Sequence, residues 1–317
     1  MEVFRLLPPA EQRTPCALTI GNFDGVHRGH QAVLAALRER ANTLAVPACV
    51  LTFEPHPREY FAQLSGGKLS PPARILTERD KLDALAENGI DRVCIAHFNA
   101  SLAGLSAEDF IKEVLVEGLQ ARHLLIGDDF RFGARRRGDW TMLQQASAAG
   151  GFELARLDSV TENGQRISSS AVRDALSSGA FEQATRLMGR PYFISGHVVH
   201  GRKLGRELGF PTLNIRIAFP NPAVRGVFVV QVHGIGAKPW PAVASLGSRP
   251  AVEAQGKLLL EVHLLDYQGD LYGRMVRVEF LRRLREERDY PELELLTRQI
   301  REDTQQAREH FGIAAQN

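Results

Sequence analysis

Through the first half of the chain, short apolar runs that end in glycine, asparagine, aspartate or histidine alternate with stretches of helical spacing. The runs cover residues 16–20, 48–53, 92–97, 123–127 and 153–157, and the helical stretches cover 31–42, 77–88, 106–116 and 141–149. Val33, Leu34, Leu37 and Ala41 repeat at the 3.6-residue period of an amphipathic helix. Thr77 and Ser106 each precede an acidic first turn, as helix N-caps do. Strands that alternate with helices predict a parallel, doubly wound sheet. In such a sheet a ligand lies beyond the carboxyl ends of the strands.

Two short helical stretches follow, 169–178 and 180–188, and after Gly189-Arg190-Pro191 the pattern changes. Alternating runs at 193–200, 212–215, 226–232, 242–246, 258–265 and 275–284 succeed one another with turns and no long helix between them. That predicts an antiparallel sheet or small barrel. A last helix is expected after Pro291, with Leu293, Leu296, Ile300, Ala307 and Phe311 as the apolar stripe that docks it. The expected organisation is an α/β domain over residues 1–185 and an antiparallel β-barrel domain with a terminal helix over 186–317.

Length and composition agree with this division. A chain of 317 residues, 44% hydrophobic and 24% charged, can bury a core in each of two domains. Its 39 basic and 37 acidic residues leave a net charge of +2, which argues against a general nucleic-acid binder. The three cysteines, Cys16, Cys49 and Cys94, lie in apolar stretches without CxxC spacing and read as buried thiols of a reducing compartment. The first 13 residues do not resemble a signal peptide, and no run reaches the roughly 18 apolar residues of a membrane span. The expectation is a cytoplasmic protein with no membrane or nucleic-acid partner. Oligomeric state is not fixed by the sequence, and a monomer accords with it.

The sharpest motif is Gly21-Asn22-Phe23-Asp24-Gly25-Val26-His27-Arg28-Gly29-His30, between the first strand and the first helix. Its glycines permit close backbone approach to a ligand, and the unpaired N–H groups of a helix start favour anions. His27 and His30 are three apart and share a face on a helical turn. There two imidazoles can donate to the phosphates of ATP and stabilise charge that develops during transfer. Three further segments stand in line with it: 51–57 (LTFEPHP), 127–133 (GDDFRFG) and 167–173 (ISSSAVR). The first two follow predicted strands. The third offers the hydroxyls of Ser168, Ser169 and Ser170, helix-start N–H groups and the charge of Arg173. The arginines at 135–137 read as a solvated loop.

These four segments resemble the signature of the HxGH nucleotidyltransferases, in the form found in bacterial bifunctional riboflavin kinase/FAD synthetases. The resemblance implies that Gly21, Asn22, Phe23, Asp24, Gly25, Asp129, Arg131, Ser168, Ser169, Ser170 and Arg173 hold ATP and its phosphates. It makes His27 and His30 the catalytic pair. A phosphate of FMN would attack the α-phosphorus and pyrophosphate would leave, with no covalent enzyme intermediate. Ser170 stands where the family more often has threonine, which preserves the hydroxyl.

The second domain carries a glycine-rich basic stretch, 196–214, that lacks Walker A spacing. Thr212 and Asn214 are two apart, so on a strand they face one side, and their oxygens suit Mg²⁺. This stretch resembles the riboflavin kinase signature. The resemblance implies that Gly201, Lys203, Gly205 and Gly209 hold ATP, that Thr212 and Asn214 ligate the magnesium, and that Glu261 is the base for the ribityl hydroxyl of riboflavin. Leu213 replaces a frequent alanine on the opposite face. Ser248 and Ala251 stand where threonines are usual, and Ala251 loses a hydroxyl. The arginines at 282–285 are expected to face Glu286 and Glu287. The implied fold is therefore an N-terminal doubly wound HxGH nucleotidyltransferase domain plus a C-terminal barrel riboflavin kinase domain. The implied substrates are ATP, riboflavin and FMN. The alternatives are a chain that retains one of the two activities, an HxGH transferase for another nucleotide acceptor, and a non-catalytic binding module.

Overall fold

The first-half alternation folds as a six-stranded, all-parallel sheet. The computed structural model describes residues 1–201, 208–217, 219, 221–247 and 258–314. They divide into two units, Met1–Pro72 with Lys81–Ser168, and Ala73–Asp80 with Ser169–Asn317.

In the first unit the strands are β1 (Glu2–Phe4), β2 (Cys16–Ile20), β3 (Ala48–Glu54), β4 (Arg92–His97), β5 (Ala121–Gly127) and β6 (Glu153–Leu157). They lie in the order β1-β4-β3-β2-β5-β6. All of β2 and the first five residues of β3 are buried, as expected where helices cover both faces of a sheet. The crossovers are α1 (Arg28–Leu44), α2 (Pro57–Leu64), α3 (Glu78–Glu87), α4 (Ala100–Gly104), α5 (Ala107–Asp109, continued as a π-helical stretch Phe110–Gly118) and α6 (Trp140–Ala148). One apolar core packs Leu18, Leu51, Leu124 and Ile126 of the sheet against Phe110, Leu115 and Leu143. A two-stranded hairpin, β7 (Thr161–Glu162) with β8 (Gln165–Arg166), closes this unit.

The sequence expectation holds for the five long strands and for both caps. The Thr77 hydroxyl accepts from the Asp80 N–H at 3.0 Å, and the Ser106 hydroxyl accepts from the Asp109 N–H at 3.0 Å. Short elements such as α4 and the β7–β8 hairpin were not anticipated, nor were β1 and α2. Strand β1 is three mostly exposed residues, too short for a periodic signal. Helix α2 starts within a proline-rich stretch. Pro57 occupies its first turn, the His56 ring accepts from the Arg58 N–H at 3.1 Å, and Glu59 accepts from the His56 N–H at 3.3 Å. The three cysteines are buried and none forms a disulfide; burial pushes the Cys94 thiol up to about 12.

The second unit is built on a closed barrel. Its strands are β9 (Phe193–Val199), β10 (Leu213–Arg216), β11 (Gly226–His233), β12 (Trp240–Leu246), β13 (Leu259–Leu264) and β14 (Met275–Arg285). They close in the order β10-β13-β12-β11-β14-β9, all antiparallel. Closure leaves no free sheet edge. Helices α7 (Ser169–Ser178) and α8 (Phe181–Met188) belong to this unit, where Phe181 packs edge-on against Phe228 and stacks on Phe280.

The terminal helix α9 (Leu293–Phe311) docks through the later part of the expected stripe, with Ala307 in the core and Phe311 packed beside it, but not through Leu293. Leu293 is 55% exposed, whereas Asp303, Ala307 and Arg308 are buried. The reason is a polar anchor that periodicity cannot show. Arg285, at the end of β14, donates from Nε to both carboxylate oxygens of Asp303 (2.9 and 3.1 Å) and from Nη2 at 2.7 Å. Arg308 pairs with Asp266. Arg285 thus anchors α9 while its Nη1 also donates to the Glu286 carbonyl at 3.1 Å, and Arg283 reaches the Glu286 carboxylate at 3.4 Å. The Asp303 side chain is only 3% exposed, so Asp303→Ala strands a largely buried guanidinium. The expected loss is about 3–5 kcal/mol in denaturant unfolding, and a loss below about 1 kcal/mol would mean the pair behaves as a surface bridge.

Candidate active sites

The loop after β2 and the loop after β5 lie side by side, because those strands pair directly and the chain winds outward from them in both directions. This is the switch point of the sheet, where a doubly wound fold opens a crevice. The stretch 21–27 fills the first loop. Its backbone is held in costly conformations: Phe23 has φ 49° and Val26 has φ 37°, both left-handed, and Val26 is β-branched.

His27 is the N-cap of α1. Its Nδ1 accepts the His30 N–H at 3.3 Å, so in the neutral ring the proton sits on Nε2. The His27 and His30 rings stack at 3.7 Å with 16° between planes, and Phe23 packs on His30 at 5.0 Å. Gly29 permits this stack: a Cβ there would lie 3.1 Å from His27 Nδ1 and 3.2 Å from the Ile167 carbonyl. The Ile167 carbonyl at the start of the 167–173 segment therefore lies close to the histidine turn. Asn22 carries a buried Oδ1 with no hydrogen-bond partner among the described residues, and Asp24 is buried.

The other predicted phosphate-site residues are placed less tightly. Asp129 pairs with Arg166 at 3.1 Å, and Arg131 pairs with Asp139 at 3.4 Å. The Ser159 hydroxyl, together with Arg166, holds the neighbouring Asp128 below the usual carboxylate range. Ser168 ends the first unit, and Ser169, Ser170 and Arg173 lie on α7 in the second. Arg173 donates from Nε to the Ala73 carbonyl at 2.6 Å. The arginines at 135–137 meet a short 3-10 turn, Ala134–Arg136.

On the barrel, register places Asn214 directly opposite Glu261, with Ser245 on the other side of Glu261. Asn214 is buried, while Glu261 and Thr212 are half-buried, Thr212 preceding β10 by one residue. Gly201 crosses over the Asn214 amide, where a side chain would collide with it. Gly209 takes φ 84° at the approach to β10. Lys203 and Gly205 lie outside the described residues, as do Ser248 and Ala251.

His263 faces the same side of β13 as Glu261 and its Nδ1 lies 2.9 Å from the Pro211 carbonyl. Burial holds its pKa below the ordinary 6.5. A histidine depressed in the folded state contributes stability above its unfolded pKa and loses it as pH falls below that value. The denaturation midpoint of the wild type is therefore expected to drop more steeply than that of His263→Gln between about pH 7 and pH 5, and parallel slopes would remove His263 from the acid response.

Sequence reading did not foresee the contacts of two side chains here. The Thr52 hydroxyl donates to the Asn22 carbonyl at 3.3 Å, and Glu287 accepts from the Ser245 hydroxyl at 3.3 Å. Thr52 had a signal, a polar residue in an otherwise apolar strand. Glu287 had none, because its neighbour is 42 residues away in the chain.

A histidine turn at the switch point of one fold, and a carboxylate facing an amide across two strands of a barrel on the other, accompany a match to nucleotide-dependent transferases over both halves of the chain. The FAD synthetase family model matches residues 10–171, and the riboflavin kinase model matches residues 188–311. A bifunctional riboflavin kinase/FMN adenylyltransferase of Pseudomonas fluorescens is 48% identical over 293 residues, covering 92% of each chain. The protein of that description from Escherichia coli K12 is 46% identical over 298 residues, covering 94% of this chain and 93% of its own. A solved chain described as a macrolide-efflux protein from Streptococcus pneumoniae has the same fold, with TM-score 0.74, 25% identity, and coverage of 97% of this chain and 99% of its own. No helix among the described residues here is long and apolar enough to cross a membrane. The chain belongs to the family of bifunctional riboflavin kinase/FMN adenylyltransferases, and both activities reside in it.

Proposed function

We propose that the chain makes FAD from riboflavin in two ATP-dependent steps, with phosphoryl transfer assigned to residues 186–317 and adenylyl transfer to residues 1–185. The observation that carries the residue assignment is the stacked His27–His30 pair, held by a backbone hydrogen bond at the switch-point loop.

In the first step the ribityl 5′-hydroxyl of riboflavin attacks the γ-phosphorus of ATP, its proton passes to Glu261, and ADP leaves with the electron pair of the broken P–O bond. Asn214, opposite Glu261 in β10, and Thr212, just before that strand, supply two hard oxygens, a donor set that fits Mg²⁺. When bound there, the ion would neutralise charge on the transferring phosphates. Gly201 and Gly209 let the chain between β9 and β10 approach the nucleotide closely.

In the second step a phosphate oxygen of FMN attacks the α-phosphorus of a second ATP and pyrophosphate leaves. No proton abstraction is required, so catalysis rests on positioning and electrostatics. His27, donating from Nε2, and His30 stabilise the charge gathered on the phosphates. The start of α1 adds the fixed positive dipole of a helix N-terminus. The protein works in the cytoplasm on small-molecule substrates.

The test is chromatographic. Purified protein with riboflavin, ATP and Mg²⁺ is expected to yield FMN first and FAD after it. FMN alone would mean that the first site is silent, and absence of both products from folded protein would overturn the proposal.

A further inference from the structure

A lysine that no motif singled out is buried beside the adenylyl-transfer loop. Lys81, in the first turn of α3, is 4% exposed. Burying an ammonium is costly and requires partners that satisfy it. Its Nζ donates to the Thr52 hydroxyl at 3.3 Å. Thr52, fully buried in β3, donates its own hydroxyl hydrogen bond to the Asn22 carbonyl at 3.3 Å. A hydroxyl has one hydrogen to give, so the direction of this chain is set: ammonium to hydroxyl, hydroxyl to carbonyl. Asn22 begins the stretch whose left-handed Phe23 and Val26 lead into the His27–His30 stack. Strained backbone persists only where its surroundings over-determine it, and a charge-assisted relay from a sheet strand is such a constraint.

We propose that Lys81 is a positioning residue for adenylyl transfer: through Thr52 it locks the Asn22 peptide and so the loop that presents His27 and His30 to the polyphosphate of ATP. This rests on the site assignment proposed above. Lys81 does not touch the reacting atoms. Its contribution lies in the geometry of the loop, where a misplacement of about 1 Å costs on the order of 100-fold in rate. Its loss therefore shows in kcat more than in KM for ATP.

The experiment uses the full-length protein and follows both activities in each sample. Lys81→Met and Thr52→Val are each expected to lower kcat for FMN adenylylation by at least about 10-fold, to move KM for ATP less than about 3-fold, and to leave riboflavin phosphorylation unchanged. The double variant is expected to be no worse than the poorer single one, because both changes cut the same relay. Lys81→Gln, which keeps a donor on a shorter stem, is expected to recover part of the rate. Wild-type kcat in Lys81→Met, or losses that multiply in the double variant, would overturn the role of Lys81. An equal fall of the kinase activity would also overturn it, since the lysine would then serve folding alone. His30→Ala, assayed alongside, separates the two levels: if it too leaves FAD formation intact, the site assignment has failed rather than the relay alone.

Discussion

Alanine at position 30 is expected to abolish FAD formation while FMN formation continues at the wild-type rate. The ring of His30 is stacked on His27 and packed by Phe23, so its removal takes away one of the two proposed phosphate donors and the stacking partner of the other. Loss of a single preorganised donor costs roughly 10²–10³ in rate, and loosening its partner adds to that. The residues proposed for the kinase step lie on a barrel with its own closed hydrogen-bonding ladder. The measurement supplies FMN and ATP and follows FAD and pyrophosphate together, with riboflavin phosphorylation and the denaturation midpoint taken on the same sample. Unchanged FAD formation would remove His30 from the chemistry. A matched fall in both activities would point to a folding defect.

Legibility from sequence followed how local each feature is. Strands β2 to β6 were readable because each is an apolar run closed by turn residues, and the Thr77 and Ser106 caps because a cap is decided within four residues. The histidine turn was readable for the same reason: its glycines, imidazoles and helix start are contiguous. Pairings that depend on the sheet were not. Asn214 and Glu261 are 47 positions apart in the numbering, and only the register of β10 on β13 makes them neighbours. Spacing offered the Thr212 and Asn214 oxygens as metal ligands and strand alternation offered Glu261 as a base, but the roles of all three rested on family resemblance. The Lys81–Thr52–Asn22 relay joins a helix, a strand and a loop that no local pattern connects. The Arg285–Asp303 anchor is another such case, and its invisibility led the docking stripe of α9 to include the exposed Leu293.

The second large effect concerns Glu261. Glu261→Gln keeps the side-chain volume and its place between Asn214 and Ser245 in the barrel ladder, so the fold has little reason to change. What it removes is the ability to accept a proton. A primary hydroxyl is a poor nucleophile until its proton has somewhere to go, and a positioned base contributes roughly 10²–10⁴ in rate. FMN production from riboflavin is therefore expected to fall by about that factor, with KM for ATP little altered because a base contributes in the transition state and not in the ground state. FAD production from supplied FMN is expected to stay at the wild-type level, since that step needs no base. The two substitutions thus predict opposite products from one chain: His30→Ala halts the sequence at FMN, while Glu261→Gln bars entry from riboflavin but passes FMN through. If Glu261→Gln retained more than about a tenth of the kinase rate, proton removal would have to be assigned to solvent, and Glu261 would be left the role of orienting the hydroxyl.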